Sequence, residues 1–549
     1  MRADNLEGSS PEVSGESPSG VSIDRLQACI RSGAPLALGE HLPAWNPFDG
    51  GPPPPELTVS SSQLRQVLLD PELGSRADPR GLTVRGAIIV GELDLDFATV
   101  TFPLRLLCCR VTGSLKLSYG KLRELILSGT HLQGIDREGR CLAGDGLDVS
   151  HDLHLDKGFT AAGAIRLRGA YVGGQINLDD AALRGADSEG HSLRANGLQA
   201  KNNVLVRNAL TSVGGIMIAG AHVGGKLDFS GTTLDGCDIR GNSLAADGLL
   251  ADNTLALGDG FSATGVIRLP RARIGGYLDF SDASLKGADR NGDSLVGEGL
   301  QANNTVLLTG RFTAAGRVNF AAARITSLVV GASRDSLPKL GDITGWRLGD
   351  VHGVIRDDRS AAAAWLSQQS AAQPWQELAD VYARNGQPTD ARWMRYRSAV
   401  NSTRNARLSA KLSRQAYRLT TGHGYYPGVA LAWLAVIFCL SFTMAYFWRD
   451  TFTTQPTAVA IPTDPAGHHE TSTTGHVTNA QCTPAWKVAC LDPLAFALSS
   501  TFPGVAEDPS WDPPDNGWMP LLFFFLRLAA WMFTAVLLAG ITGLLHKQT

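Results

Sequence analysis

Residues able to do chemistry cluster in few places along this chain. The segment His151-Asp152-Leu153-His154-Leu155-Asp156 offers two imidazoles and two carboxylates, donor types that hold a divalent metal. Alternation in a strand puts Leu153 and Leu155 inward and His154 and Asp156 on one outward face. At 51-residue steps His154 is replaced by Leu205, Ala256 and Leu307, so a metal set here would be single and incomplete. The expectation is a solvated strand face. His151 shares a column with Asn202, Asn253 and Asn304, expected at a turn where Asn tolerates the backbone. Four acidic turns, Asp136–Gly139, Asp187–Gly190, Asp238–Gly241 and Asp289–Gly292, have the flavour of calcium loops. Calcium needs oxygen ligands at alternate positions, which the third copy lacks. A turn opened by Asp and closed by Gly is expected in all four.

Nucleotide chemistry fares no better. A dinucleotide site needs Gly-x-Gly-x-x-Gly between a strand and a helix, and the Gly-rich tracts here run on into further strand pattern. There is no Walker lysine motif and no Cys-x-x-Cys. No catalytic residue, metal ligand or cofactor is assigned. A net charge of −3 argues against a global polycation, so nucleic acid is not an expected partner. Eight cysteines in 549 residues exclude a disulfide-dense secreted scaffold.

Elsewhere the chemistry is that of membranes. Two apolar runs, Gly428 to Trp448 and Pro520 to Leu545, each exceed the ~20 residues that cross a bilayer. The 391–420 stretch carries eight Lys or Arg and no acid, which by the positive-inside rule keeps it cytoplasmic. No apolar signal-peptide core opens the chain, which agrees with that orientation. Both termini are then expected inside, with 449–518 outside. There Cys482 and Cys490 meet an oxidising compartment and could bridge a short loop. Cys29, Cys108, Cys109, Cys141 and Cys237 stay reduced. Residues 491–502 could form a short helix dipping toward the membrane. Thr501, Phe502, Pro503 and Gly504 would follow as a pore segment, though a potassium filter's Thr-Val-Gly-Tyr-Gly is absent. A disulfide-pinned external cap is the plainer reading of the same residues. Arg527, eight residues into the second span, either snorkels to outer headgroups or pairs with an acid such as Asp515. Ala535, Ala539 and Gly543 form a small-residue stripe for helix packing, within the chain or between copies.

These segments hang on a repeat. Glycine is the compositional outlier, 61 of 549 residues. Leu132, Leu183, Leu234 and Leu285 are 51 apart, each followed two residues later by Gly134, Gly185, Gly236 and Gly287. The pairs Gly146-Leu147, Gly197-Leu198, Gly248-Leu249 and Gly299-Leu300 keep step, as do Val172, Val223, Ile274 and Ile325. Within a unit, GAIRLRGAYVGGQINL (Gly163 to Leu178) alternates apolar and polar residues between Gly turns, a strand pattern. The fold class expected is mainly β: a right-handed parallel β-solenoid with 51-residue units of two or three coils each, followed by a helical hairpin and two transmembrane helices. Domain boundaries read as a disordered tail over 1–21, a helical cap over 22–80 and the solenoid over 81–335. A hairpin with a basic juxtamembrane helix follows over 336–420. The spans cover 421–448 and 519–545, around the external loop 449–518. In the hairpin, Trp375, Leu378, Ala379 and Tyr382 fit half a tetratricopeptide repeat, while Arg395 falls where an aromatic is needed.

The repeating cassette, of form V-R-L-x-G-A-x-I-G-G-x-L-D, resembles that of bacterial two-span membrane proteins with pentapeptide-like or bactofilin-like repeats. DPRGLTVRGAIIVGELDL (Asp78 to Leu95) and FPLRLLCCRV (Phe102 to Val111) look like that family's opening rungs. GHGYYPGVA (Gly422 to Ala430) is similar to its Gly-Tyr-Gly-x-x-Pro lead into the first span. PLAFALSSTFPGV (Pro493 to Val505) is similar to its external Y-A-L-D-x-x-L-P segment, with Ser499 where Asp is usual. The resemblance implies a place in the bacterial cytoplasmic membrane, and the label membrane-associated oxidoreductase, which no residue pattern here carries. The function expected is a non-enzymatic, membrane-anchored scaffold or sensor. Its partners would be the lipid bilayer, a cytoplasmic protein and further copies of the chain as a homo-oligomer. The alternatives are a two-helix pore regulated by the solenoid, and an oxidoreductase.

Overall fold

The computed structural model describes residues 20–541 apart from 46–50, 209, 405–410, 412, 413, 416, 417, 421, 427, 455–477, 482–489, 503–510, 515 and 516. The expected tail over residues 1–21 therefore lies outside the described residues up to position 19. The chain divides into two compact units, Met1–Gln387 and Pro388–Thr549.

Short strands in the first unit stack in parallel, and the period-two alternation between Gly turns gives each strand one inward face. One coil visits four strand columns: Leu115–Lys116, Lys121–Leu122, Leu125–Ile126 and His131–Leu132. The next coil opens at Arg140–Ala143, seated on the first through Leu142↔Leu115. The four columns make three stacked sheets, of 21, 11 and 10 strands, because the last long strands run through two columns. Along the first column the register partners are Leu142↔Ile165, Ile165↔Leu193, Leu193↔Ile216, Ile216↔Leu244, Leu244↔Ile267 and Ile267↔Leu295. Coils of 23 and 28 residues thus alternate, and the longer coil carries the Asp–Gly turn. Every second side chain points inward. Leu147, Val149, Leu153, Leu155 and Val172 are buried, and so are their counterparts in later coils.

Parallel pairing extends beyond the expected 81–335. Leu36–Ala37 pairs with Val84–Arg85, and Thr58–Ser60 with Ile88–Val90. At the other end Arg347–His352 pairs with the preceding coil. Helices α1 (Ile23–Ser32), α2 (Ser61–Leu68) and α3 (Pro71–Ser75) interrupt the first coil, which hides its strand pattern in the sequence. Asp70 caps α3 by accepting from the Glu72 and Leu73 amides. After the last strand come α4 (Val354–Asp357), α5 (Arg359–Trp365) and α6 (Gln373–Arg384).

Helix α6 finishes what a further coil would have done. Gln373 accepts from the Gly345 amide and donates to the Trp346 carbonyl. Glu377 accepts from the Leu348 amide and Arg384 donates to the Leu348 carbonyl. An unpaired strand edge is a template for aggregation, and these side chains occupy it. The buried Trp375, Leu378, Ala379 and Tyr382 form the apolar stripe of the same helix.

The second unit holds α7 (Pro388–Arg404), α8 (Gly428–Phe447), α9 (Pro493–Thr501) and α10 (Met519–Ile541). Helices α8 and α10 are long and apolar enough to cross a membrane. The unit boundary falls between α6 and α7, inside the stretch read from sequence as one hairpin.

The recurring Leu-x-Gly has a steric cause. A Cβ on Gly185, Gly236 or Gly287 would lie 2.0, 1.8 or 2.1 Å from the carbonyl oxygen of Ala162, Val213 or Thr264. Coils approach so closely there that only glycine fits. We expect Gly236→Ala to cost about 1–3 kcal/mol by overpacking against rigid backbone, a fall of some ~2–9 °C in the thermal midpoint. Gly51→Ala, at a glycine with no atom within 4 Å of the added Cβ, should leave the midpoint unchanged.

Candidate functional site

Asp156 departs from its expected place on a solvated face. Its carboxylate is buried, accepting from His154 Nδ1 at 3.1 Å, Asn177 Nδ2 at 2.9 Å and Ser128 Oγ. Ser128 and Asn177 belong to the coils on either side, a neighbourhood that local alternation does not show. Burial pushes the Asp156 carboxyl up, but the bonds from His154 and Ser128, with the charges of His154 and Lys157, outweigh it and hold the group below its usual range. The bond to Asp156 raises the His154 imidazole, against some burial. Asp152 stands 3.8 Å from His154 Nε2. No group of three or more metal-ligating side chains occurs among the described residues.

All four acidic turns have one geometry. The leading carboxylates Asp136, Asp187, Asp238 and Asp289 each accept from the amides two and four residues on. The closing Gly139, Gly190, Gly241 and Gly292 each have φ between 79° and 87°. The acid serves the backbone, as the Asp–Gly spacing implies. The His151, Asn202, Asn253 and Asn304 column does not adopt a positive φ. That conformation falls later in the coil, at Lys157, Asn208 and Asp259.

Beside these turns runs an ion-paired ladder that the sequence conceals. Arg140 pairs with Asp136 at 2.6 Å and Glu138 at 2.8 Å. Arg166 bridges Glu138 and Asp145, and Arg168 joins the same Asp145 carboxylate at 2.8 Å. Arg194 pairs with Asp187 and Glu189. Recognising this ladder needs the coil register. Nucleophilic chemistry is not favoured at the buried thiols, because burial pushes Cys109 and Cys141 up to about 12.

In the second unit, α8 and α10 pair through Ala430, Leu434 and Ile437 against Ala530 and Phe533, with the Trp433 and Phe533 rings stacked 5.9 Å apart. The intrachain seam therefore uses Ala530 and Phe533, while Ala535 is exposed, Ala539 partly so, and Gly543 lies outside the described residues. Further along, Phe452, Phe496 and Phe523 meet edge to face at 5.1–6.0 Å, joining the end of α8 to α9 and the start of α10. Helix α9 occupies the expected dipping segment, with Pro493 in its first turn and Asp492 capping by accepting from the Leu494 amide. Its last residue, Thr501, is fully buried with no hydrogen-bond partner for its hydroxyl. Phe502 follows, and Pro503 and Gly504 lie outside the described residues. Cys490 is disulfide-bonded, while Cys482 lies outside the described residues. The other six cysteines are free thiols. Arg527 sits on the exposed flank of α10, and its expected partner Asp515 lies outside the described residues.

The His154–Asp156 pair should register in stability. A raised imidazole stabilises the fold below its unfolded value near 6.5, and that contribution is lost as pH rises through the folded value. The depressed Asp156 contributes above about 3.9 and is lost as pH falls through its own folded value. His154→Asn should therefore lower stability most near pH ~5.5, by no more than about 1 kcal/mol for this partly exposed imidazole and much less near pH ~9, read as the shift in thermal midpoint at each pH. Equal losses at both pH values would remove the charge from the account. The chain matches no family model, no curated protein and no solved structure.

Proposed function

We propose that this chain is a non-enzymatic scaffold or sensor. In this reading a right-handed β-solenoid, built of two-coil units of 51 residues, is moored in the bacterial cytoplasmic membrane by α8 and α10, with both termini cytoplasmic. The observation that carries the reading is the uncovered apolar surface of the two helices. Leu431, Leu440 and Phe447 of α8 and Leu521, Phe524, Phe525, Leu528 and Trp531 of α10 are exposed beyond the narrow seam that pairs the helices. A helix apolar on faces that no protein covers is at home in lipid, whereas a core helix of a soluble domain is enclosed. The basic 391–420 stretch supports the orientation. Support for the scaffold role comes from the solenoid's outer surface, where outward side chains of successive coils stand in register one strand spacing apart and make a long, regular face. A cytoplasmic protein or a second copy would read that surface.

A reporter inserted before Gly428 should be active only in the cytoplasm, and one placed within 456–476 only outside. Activity of both on one side of the membrane would refute the topology.

A second reading, a pore regulated by the solenoid, is favoured by α9. This short helix packs against both α8 and α10, as the pore helix of a two-span channel does. Full-length protein in liposomes should then pass ions, with flux reduced by Thr501→Val. Silent vesicles would leave the scaffold as the sole reading.

A further inference from the structure

The outward residues of the second strand column can be followed coil by coil through the register. They run Thr99, Lys121, Asp148, Tyr171, Gln199, His222, Leu250, Arg273, Gln301, Arg324 and Arg347. Neighbours in such a column stand one strand spacing apart, ~4.8 Å. Lys121 faces Asp148, and a neutral side chain separates Arg273 from Arg324. Only at the end of the column do two like charges fall side by side, at Arg324 and Arg347. Like charges directly opposite are destabilising. Both side chains are exposed, and neither makes an ion pair or a hydrogen bond among the described residues.

The pair lies in a groove of about 540 Å³, entirely within the first unit. Its floor is Gln301–Asn303, Arg324–Thr326 and Arg347–Gly349 on three successive coils, and its wall is Glu377 and Arg384 of α6. Glu377 is the one carboxylate in that lining, and it accepts from the Leu348 amide at 2.9 Å. Arg384 is spent on the Leu348 and Gly349 carbonyls. Gly349 has no side chain to raise the floor, since a Cβ there would lie 2.3 Å from the Thr326 carbonyl oxygen. By contrast, the neighbouring groove around Asn291, Asp293 and Asn319 has its guanidinium, Arg317, paired with Asp293 at 2.9 Å.

We propose that Arg324 and Arg347 form a binding site for a phosphate group. A carboxylate brings one charge, and Asp145 shows that one can serve two guanidinia, whereas a phosphate dianion matches both charges of this unpaired pair and has three oxygens for forks approaching from adjacent coils. Gln301, Asn303 and Thr326 add neutral donors for the hydroxyls of whatever carries the phosphate. That carrier is a soluble phosphorylated molecule or a phospholipid headgroup, the phosphate being common to both.

The test uses full-length protein in a neutral detergent. Inorganic phosphate should raise the thermal midpoint beyond chloride at matched ionic strength, and the double variant Arg324→Gln/Arg347→Gln should bind phosphate at least about tenfold more weakly. Mixed micelles containing phosphatidic acid, compared with phosphatidylcholine, separate the two carriers. Stronger protection by phosphatidic acid than by equal inorganic phosphate assigns a headgroup, and the reverse assigns a soluble ligand. Without phosphate, the double variant should melt at or above the wild-type midpoint, because the repulsion is gone. The proposal is overturned if phosphate and phosphatidic acid do no more than chloride and phosphatidylcholine, if the double variant responds as wild type does, or if it melts lower without ligand.

Discussion

Every coil of the solenoid is incomplete by itself, because a strand cannot satisfy its own amides and carbonyls. The amides of Leu153, Leu155 and Lys157 donate to Gln175, Asn177 and Asp179 on the next coil, and the same ladder repeats along the stack. A buried backbone group without a partner costs about as much as a lost hydrogen bond, so the coils stand or fall together. This constraint sets the register, and the register sets which side chains become neighbours. It also makes the two ends special. At one end the chain threads α1, α2 and α3 among its first strands. At the other it spends Gln373, Glu377 and Arg384 on the final strand edge.

Features that recur with the backbone were legible in the sequence. Gly134, Gly185, Gly236 and Gly287 stand out because the backbone of the preceding coil presses on the same position in successive long coils. The Asp–Gly turns were legible because their bonds close within a few residues. Features made by contact between coils were not. Asp156 is buried by Ser128 and Asn177, 28 and 21 residues away, so its carboxylate reads as exposed when only local alternation is followed. The adjacency of Arg324 and Arg347 is hidden likewise by a 23-residue step between register partners. In the apolar helices, the four-residue spacing of Ala535, Ala539 and Gly543 marks a smooth stripe without naming its neighbour. The intrachain seam follows Ala530 and Phe533 instead, where the Phe533 ring stacks on Trp433.

The two units solve different solvation problems. In the first, alternation sends one set of side chains into a continuous core, and the outward set is left for ion pairs and solvent. In the second, α8 and α10 keep only a narrow contact, and the aromatic knot of Phe452, Phe496 and Phe523 ties α9 to them. The scaffold or sensor proposed above would use that division, with a regular surface for partners and an apolar unit for lipid. Ligand binding on the last coils would touch residues that also form the finished edge, since Arg384 and Glu377 line the groove and bond the final strand.

The dependence of each coil on its neighbours is most directly tested by amide hydrogen exchange on the full-length protein. Cooperative stacking predicts one slow-exchanging block from Leu82 to Val330, with the terminal strands Leu36–Ala37 and Arg347–His352 opening first. Fast exchange through the middle coils, or protection confined to scattered segments, would contradict the stacked ladder on which the rest is built.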